Sequence, residues 1–341
     1  MSKTGVLLVN LGTPDEPSTP ALRRYLREFL MDGRVIDIPA FPRFLLVNGI
    51  IAPFRAPKIV KEYKKLWTEN GSPLLVYGKE VKKKLQEKLG NHYLVELGMR
   101  YQSPDIEGAL KKLKQNKVED LIIVSMFPQY ASATSGSVAQ KVMEIIKDWN
   151  VIPNIRFINK YHTHPKLIKG FSENGSTLLK DNEYDHIIFS YHGIPERHLR
   201  RLGKDYNQCS YPGCSGSCAE GLKENSYCYR SACFETSNLI AEELKLKSED
   251  YTVCFQSRLG KDPWIQPYTE DVVNDLAKKG VKRVLAFSPA FVADCLETTL
   301  EVGEQYKEQF LEEGGEIWDL VPSLNSSEPW IECLEDLVRS S

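Results

Sequence analysis

The chain has 341 residues, of which 42% are hydrophobic and 26% charged, and its formal net charge is −2. This composition is typical of a globular protein, and the length allows two domains of ordinary size. Because no basic excess is available to contact phosphates, the charge argues against a nucleic-acid partner. No segment approaches the roughly 20 apolar residues that span a bilayer, and the first apolar run is too short for a signal peptide, so we expect a cytosolic protein.

Strand and helix patterns alternate along the chain. The run VLLVN at 6–10 predicts a first strand, and Thr19 with Pro20 predicts the N-cap and first turn of a helix. Ser103-Pro104 opens a later helix, and 329–339 predicts the last one. Further apolar runs predict strands at 92–99, 120–127, 154–161, 186–192, 251–257, 282–288 and 316–322. This alternation predicts βαβ units and a mostly parallel sheet.

Two segments share a layout that suggests an internal repeat. DLIIVSMFPQYASATSGSVAQKV at 120–142 and KRVLAFSPAFVADCLETTLEV at 282–302 both run from a strand through Pro and small residues into a helix. The repeat favours two similar α/β halves, although any two strand–helix junctions share part of this layout. We place the halves at 1–155 and 156–315, with the C-terminal segment 316–341 able to pack back on the first half.

Two strand ends carry the residues that point to chemistry. FSYHGIPERH at 189–198 presents His192, and FSPAFVADCLETTLE at 287–301 presents Asp294 and Glu297. Ligands bind at the carboxyl ends of strands in parallel sheets, and a neutral imidazole can bind a metal or accept a proton near pH 7. The i, i+3 spacing places both carboxylates on one face if a helix begins there. We predict all three as catalytic, with His192 and Glu297 as ligands of a metal.

The same two segments match, nearly residue for residue, the signature motifs of the ferrochelatase family, which inserts Fe²⁺ into a porphyrin. VLLVNLGTPDEP at 6–17 and YLREFLMDGRVIDIP at 25–39 also resemble that family, so the resemblance covers nearly the whole chain. It implies an α/β fold with two Rossmann-like, chelatase-type halves. Each half would have a mostly parallel four-stranded sheet flanked by helices, with a porphyrin cleft between the halves.

The resemblance also implies the reaction, in which protoporphyrin IX and Fe²⁺ give protohaem in the terminal step of haem biosynthesis. One alternative is a chelatase of the same fold that acts on coproporphyrin or sirohydrochlorin. Another is a non-catalytic haem or Fe–S sensor, which we would expect to have lost His192 or Glu297; both are present. Whether His192 binds iron or accepts protons stays open at this point.

Several loops are implied to form the porphyrin slot. The residues concerned are Asn10, Leu11, Arg100, Tyr101, Ser132, Thr134, Ser135 and Trp264. Arg100 and the hydroxyl groups would hold the propionates, and Trp264 would pack on the ring face. Tyrosine occupies the Leu11 position in the coproporphyrin branch of the family, so Leu11 favours protoporphyrin. An ordinary ion pair is the alternative for Arg100.

The segment 39–57 is apolar and interrupted by prolines, and its pattern predicts no long helix. Buried core is one explanation. The other is an exposed lip over the pocket, flanked by Arg43, Arg55 and Lys58, that makes transient contact with the inner membrane surface. The family uses this region as a pocket lip, so we favour the lip and a peripheral association with the membrane.

A Cys-rich insert occupies 207–233, and its Gly, Ser, Pro and Tyr residues cannot form a core. It lacks the C-x₂-C spacing typical of zinc sites, whereas Fe–S clusters take four thiolates at varied spacings. The insert resembles that of microbial ferrochelatases with a [2Fe–2S] cluster, and incidental thiols are the alternative. The predicted ligands are Cys209, Cys214, Cys218 and Cys228, with Cys233 as the alternative fourth ligand.

Two other candidates have simpler interpretations. The His162/His164 pair suggests a metal site, but we expect these residues to cap and pack the junction between the halves. Cys295 lies between Asp294 and Glu297, and we expect a buried thiol there, because free Cys behaves as a small hydrophobe.

Overall fold

The computed structural model describes residues 3–206, 227–260 and 262–341, which form two compact units. The first unit comprises 1–160 and 331–341, and the second comprises 161–330. The observed division therefore returns only 331–341 to the first unit, rather than the expected 316–341. The reason is that Ile317–Leu320 forms a strand hydrogen-bonded within the second sheet.

The first unit is built on a parallel four-stranded sheet with the order β2-β1-β3-β4. Its strands are β1 (Thr4–Gly12), β2 (Tyr93–Tyr101), β3 (Asp120–Ser125) and β4 (Asn154–Ile158). Its helices are α1 (Thr19–Met31), α2 (Ala40–Leu45), α3 (Ala52–Leu66), α4 (Pro73–Leu89), α5 (Ile106–Gln115) and α6 (Ser137–Ile146). Leu46–Ile51 and Ser132–Gly136 are π-helical.

The second unit repeats this plan with the order β6-β5-β7-β8, again parallel. Its strands are β5 (His186–His192), β6 (Tyr251–Gln256), β7 (Arg283–Phe287) and β8 (Ile317–Leu320). Its helices are α7 (Pro165–Asp181), α8 (Glu196–Tyr206), α9 (Tyr229–Glu243), α10 (Thr269–Lys278) and α11 (Tyr306–Glu312), with a π-helix at Glu297–Gln305. The last helix, α12 (Glu328–Arg339), contains the boundary between the units.

The predicted fold class is confirmed, including every predicted strand and the repeat of the two halves. The central strands explain why their sequences are continuously apolar: helices cover both faces of a parallel sheet, so neither face meets water. Val6, Leu7, Leu8 and Val9 of β1 are all 0% exposed. The covering helices are amphipathic; the buried residues of α5, at spacings of three and four, are Ile106, Ala109, Leu110 and Leu113.

The strand order creates a topological switch point in each sheet. The chain leaves β1 towards β2 on one side and leaves β3 towards β4 on the other, so a crevice forms at the carboxyl ends of β1 and β3. The same holds for β5 and β7. At the end of β1, Gly12 has φ 113°, and a Cβ there would lie 1.9 Å from the Tyr101 carbonyl oxygen, so only glycine fits.

The start of α1 differs by one residue from the expected cap. Ser18, not Thr19, is the N-cap, and its hydroxyl oxygen accepts a hydrogen bond from the Ala21 N–H at 3.3 Å. Pro20 lies in the first turn, where its missing N–H costs nothing. Both Ser and Thr are good capping residues, so the sequence pattern alone does not choose between them.

The segment 39–57 is helical, contrary to our expectation, and most of its large apolar side chains are exposed, so buried core is the wrong explanation. The helix α2, the π-helix Leu46–Ile51 and α3 follow one another without a break. The exposed side chains are Phe41 (72%), Phe44 (52%), Leu45 (52%), Ile50 (58%) and Phe54 (67%). Small residues, Ala52 and Ala56, face inward. None of the helices in the described part of the chain is both long and apolar enough to cross a membrane.

Candidate active site

His192 is the last residue of β5 and is half-buried. Its Nδ1 lies 2.6 Å from the Gly193 carbonyl oxygen, an acceptor, so Nδ1 carries the proton. In the neutral ring this leaves a lone pair on Nε2, which can accept a proton or bind a metal. A Cβ on Gly193 would lie 2.9 Å from the Gln256 carbonyl oxygen and 3.1 Å from the Trp264 ring, so glycine permits this packing.

Trp264 lies beside His192, with a ring-centroid distance of 6.3 Å and an interplanar angle of 42°. Its indole Nε1–H donates to the Leu259 carbonyl oxygen at 3.0 Å. An isolated β-bridge between Pro195 and Trp264 joins the loop after β5 to the loop after β6. The structure therefore brings together two of the residues that the sequence predicted for the site.

Glu297 begins the π-helix after β7, and Glu301 follows one turn later. The Glu301 carboxylate accepts hydrogen bonds from the Ser257 hydroxyl at 2.5 Å, the Gln256 amide at 3.4 Å and the Tyr306 hydroxyl at 3.3 Å. The Gln256 amide also donates to the Glu297 carbonyl oxygen at 3.4 Å. The buried Gln256 thus links β6 to both turns of the π-helix.

Burial raises the pKa of Glu301, and the negative charge of Glu297 raises it further. The Ser257 hydrogen bond and the positive charge of a protonated His192 act in the opposite direction but do not cancel the effect of burial. Our sequence reasoning missed Glu301. The signal was present in ETTLE, where the second carboxylate follows Glu297 by one helical turn.

Asp294 does not share a helix face with Glu297, because the helix begins after it. Its Oδ1 accepts from the Ser323 N–H at 3.0 Å, and its Oδ2 accepts from the Asn325 side-chain amide at 2.7 Å. The Asp294 N–H in turn donates to Asn325 Oδ1 at 2.9 Å. Asp294 therefore anchors the loop that carries Glu297 to the segment after β8.

Cys295 is buried, as expected, and burial raises the pKa of its thiol well above its usual range. The His162/His164 pair also behaves as predicted in part. The His164 side chain caps α7 by accepting from the Lys166 N–H at 3.3 Å, and His162 Nε2 contacts Glu235 at 2.8 Å. His164 thus stabilises a helix end, and His162 packs against α9 within the second unit.

In the first unit, Arg100 forms an ion pair, the alternative considered for it, but the pair is buried rather than at the surface. Its Nη2 lies 2.6 Å from Asp32 Oδ2, and its Nε donates to Ser137 at 2.7 Å. Tyr101 is fully buried, and its hydroxyl donates to Asp32 at 2.9 Å. Ser137 also donates to Asp32. The Tyr101 hydroxyl therefore supports the Asp32 carboxylate.

Burial alone would raise the pKa of Asp32, but the hydrogen bonds from Ser137 and the Arg34 N–H, together with the Arg100 charge, lower it below its usual value. The carboxylate is thus ionised at neutral pH and holds Arg100 in place. Arg34 reaches from the same loop to Ser132, whose hydroxyl accepts from Nη1 at 2.8 Å.

The other predicted porphyrin contacts in the first unit lie at the carboxyl end of β1 and in the segment that follows β3. Asn10 is buried and accepts from the Leu11 N–H at 2.8 Å, while Leu11 itself is half-buried. The Thr134 hydroxyl donates to the Ala131 carbonyl oxygen at 3.3 Å. Ser135 is fully buried, and its hydroxyl has no hydrogen-bond partner among the described residues.

Of the predicted cluster ligands, Cys209, Cys214 and Cys218 lie outside the described residues. Cys228 is buried at the N-cap of α9, and Cys233 is fully buried one turn further on. Burial raises the pKa of the Cys233 thiol well above its usual range. Within residues 3–206, 227–260 and 262–341, no group of three or more His, Cys, Asp or Glu side chains is placed to hold a metal ion.

Comparisons with known proteins agree with these features. A family model described as Ferrochelatase matches residues 3–341. A ferrochelatase of Legionella pneumophila (strain Lens) is 44% identical over 337 residues, which cover 99% of each chain. A ferrochelatase of Coxiella burnetii (strain Dugway 5J108-111) is 42% identical over 340 residues, covering 100% of this chain and 94% of the relative.

Solved structures support the fold. SirB from Bacillus subtilis with Fe³⁺ has a TM-score of 0.52 at 10% identity, covering 99% of this chain and 95% of its own. The sirohydrochlorin chelatase SirB from Bacillus subtilis subspecies spizizenii, in complex with cobalt, has a TM-score of 0.54 at 10% identity, with 99% and 94% covered. At such low identity, these matches support the fold and nothing more specific.

The family model and the relatives above 40% identity span both units and both signature strand ends, and the chain therefore belongs to the ferrochelatase family.

Proposed function

We propose that the protein inserts Fe²⁺ into protoporphyrin IX to form protohaem. The observation that carries the proposal is the state of His192, whose Nδ1 proton is held by the Gly193 carbonyl and whose Nε2 lone pair is left for chemistry. The ring lies beside Trp264 and within the electrostatic influence of Glu301. The family relationship supplies the substrate class.

Metallation releases two pyrrole protons, which need an acceptor and a path away from the ring. We propose that Nε2 of His192 accepts the first of these pyrrole protons. Glu301, whose pKa is raised by burial, can take up a proton at a pH at which an exposed carboxylate would stay ionised. With Glu297 one turn before it, the π-helix then provides a pair of carboxylates for proton transfer or for the passage of Fe²⁺.

Leu11, at the end of β1, favours the two-carboxylate protoporphyrin over coproporphyrin. A sirohydrochlorin substrate is less favoured, because likeness to those chelatases is limited to 10% identity, whereas ferrochelatase relatives exceed 40%. Trp264 would pack on the macrocycle face beside His192.

His192→Ala should lower kcat for anaerobic Fe²⁺ insertion by at least about 100-fold, because it removes the proton acceptor. Porphyrin affinity should stay within about threefold, since the aromatic and apolar contacts remain. Metal insertion is followed by the change in the visible spectrum, with protoporphyrin and coproporphyrin as separate substrates.

His186→Ala is the matched control, because His186 lies at the opposite end of the same strand and contacts Thr252 at 2.9 Å. It should leave kcat unchanged. Near-normal turnover by His192→Ala would remove His192 from the mechanism, and a strong preference for coproporphyrin would move the protein to the other branch of the family.

We also propose that Arg100 binds a porphyrin propionate in addition to its ion pair. Its Nε and Nη2 are engaged by Ser137 and Asp32, and its Nη1 makes no hydrogen bond within the described residues. Asp32 fixes the guanidinium plane, which favours a geometrically defined contact with a carboxylate. The alternative is that the pair is purely structural.

The two roles separate in a double-mutant cycle. Arg100→Ala alone should destabilise the protein by about 3–5 kcal/mol, because it leaves a buried unpaired Asp32 carboxylate. Adding Asp32→Asn should restore most of the stability. It should also reduce the loss of stability as pH falls below about 3.9, since a lowered pKa stabilises the fold only while the carboxylate is ionised. If Arg100 binds a propionate, KM for porphyrin stays high in the double variant; a return of KM to the wild-type value would contradict the proposal.

We further propose a [2Fe–2S] cluster on the Cys-rich insert, with Cys209, Cys214, Cys218 and Cys228 as ligands. The described residues support the choice of Cys228 over Cys233. Cys228 lies at the N-terminal end of α9, where negative charge is favoured. Cys233 instead lies inside α9 and is fully buried. When bound, the cluster would supply four iron–thiolate bonds that order the insert.

Protein purified without oxygen should therefore contain iron and acid-labile sulfide in about equal amounts, as a [2Fe–2S] centre requires. Cys228→Ser should abolish the visible absorption, whereas Cys233→Ser should retain it. The reverse result would identify Cys233 as the fourth ligand. A colourless protein with zinc or no metal would contradict the cluster.

We propose that the exposed apolar surface of α2, the following π-helix and α3, formed by Phe41, Phe44, Ile50 and Phe54, touches a membrane transiently. These side chains are more than half exposed, and Arg55 and Lys58 lie near them in the sequence. Apolar side chains beside basic residues are typical of helices that lie on an anionic lipid surface.

Phe41→Ser/Phe54→Ser should weaken binding to phosphatidylglycerol-containing vesicles by about tenfold in a sedimentation assay, because two exposed aromatic rings are lost. Val151→Ser/Ile152→Ser is the control, since those residues are 80% and 56% exposed but lie outside this surface. Equal binding by both double variants would argue against the membrane contact.

A further inference from the structure

The peptide group between His192 and Gly193 is held at both ends. The Gly193 N–H donates to the Gln256 carbonyl oxygen at 2.8 Å. The His192 carbonyl oxygen accepts a hydrogen bond from the Tyr229 hydroxyl at 2.9 Å. The next carbonyl, that of Gly193, is the acceptor for the imidazole Nδ1–H. The orientation of the imidazole therefore depends on a peptide plane that β6 and α9 fix from two directions.

Tyr229 is suited to this contact. It is the first residue of α9, and its side chain is buried. A tyrosine hydroxyl carries its proton near neutral pH and can therefore act as the donor to the His192 carbonyl oxygen.

We propose that Tyr229 is a positioning residue for His192. Glycine at 193 has no side chain to restrain its own backbone, so the peptide plane needs external hydrogen bonds. Without the Tyr229 donor, the His192 carbonyl can rotate, and the Gly193 carbonyl then no longer holds the Nδ1 proton. The imidazole would populate both tautomers, and Nε2 would carry a proton part of the time.

The catalytic consequence rests on the proposed function, whereas the effect on the tautomer does not. Tyr229→Phe removes only the hydroxyl and keeps the ring in the core. Tyr191→Phe is the matched control: Tyr191 is also fully buried, precedes His192 in β5, and directs its hydroxyl to Ser237 at 2.8 Å. Both variants lose one buried hydroxyl, but only Tyr229→Phe loses a contact to His192.

Steady-state kinetics give the first readout. Tyr229→Phe should lower kcat for Fe²⁺ insertion by about tenfold, as expected for one lost hydrogen bond in a buried site, with KM for protoporphyrin within about twofold. Tyr191→Phe should stay within about twofold of wild type in both parameters. If wild type turns over and Tyr229→Phe has wild-type kcat, the positioning role is overturned.

Nitrogen-15 NMR of the histidine-labelled protein gives the second readout and needs no turnover. The chain has six histidines, and His192→Ala assigns the relevant ring. Wild type should show the Nδ1–H tautomer at His192, and Tyr229→Phe should show a mixture, while Tyr191→Phe should match wild type. An unchanged signature in Tyr229→Phe, or an equal change in Tyr191→Phe, overturns the proposal. An inactive wild type would contradict the proposed function alone and leave this result interpretable.

Discussion

The position of the first and third strands of each sheet constrains the rest of the structure. In the orders β2-β1-β3-β4 and β6-β5-β7-β8, these two strands are neighbours whose following connections leave in opposite directions. Helices cover both faces of such a sheet, so the middles of the strands are mostly apolar, as residues 6–9 of β1 illustrate; the buried Glu96 of β2 is paired with Lys82. The polar groups of the candidate site lie at the carboxyl ends, where Asn10, His192 and the loop leading to Glu297 are found.

The same confinement explains the electrostatics of the second unit. Glu301 lies against Gln256 and Ser257, at the end of β6, and is partly removed from water. Its raised pKa means that the folded state favours the protonated form. The contribution of Glu301 to the stability of the fold is therefore largest at low pH and is lost as pH rises through the raised pKa. Ionising Glu301 therefore costs more in the folded protein than in the unfolded chain, which is understandable at a site where proton uptake is required.

The sequence was sufficient for features that depend on local pattern. Continuous apolar runs located the strands, and the two signature segments located His192, Glu297 and their place at strand ends. It was insufficient where distant residues meet. Asp32 and Arg100 are 68 positions apart, and nothing in either segment indicates that they form a buried pair. Asp294 likewise meets Ser323 and Asn325 across a loop, so its anchoring role could not be seen beforehand.

The segment 39–57 shows a different reason for failure. Its prolines suggested interruptions, but Pro42 lies in α2 and Pro53 near the start of α3, where proline is tolerated in a first turn. Pro57 lies beyond the first turn of α3. The intervening π-helix Leu46–Ile51 joins the two helices without a break. The π-helical hydrogen bonds of Leu46–Ile51 thus let the chain stay helical through a segment whose sequence does not follow a regular 3.6-residue pattern.

The place at which the Cys-rich segment enters the sequence is also informative. It follows α8, which begins four positions after His192, and its predicted ligand Cys228 directly precedes Tyr229. The Glu196 N–H donates to the Pro263 carbonyl at 3.0 Å, so the start of α8 is tied to the loop that carries Trp264. The two helices that flank the segment therefore both contact the surroundings of His192 without interrupting the sheet.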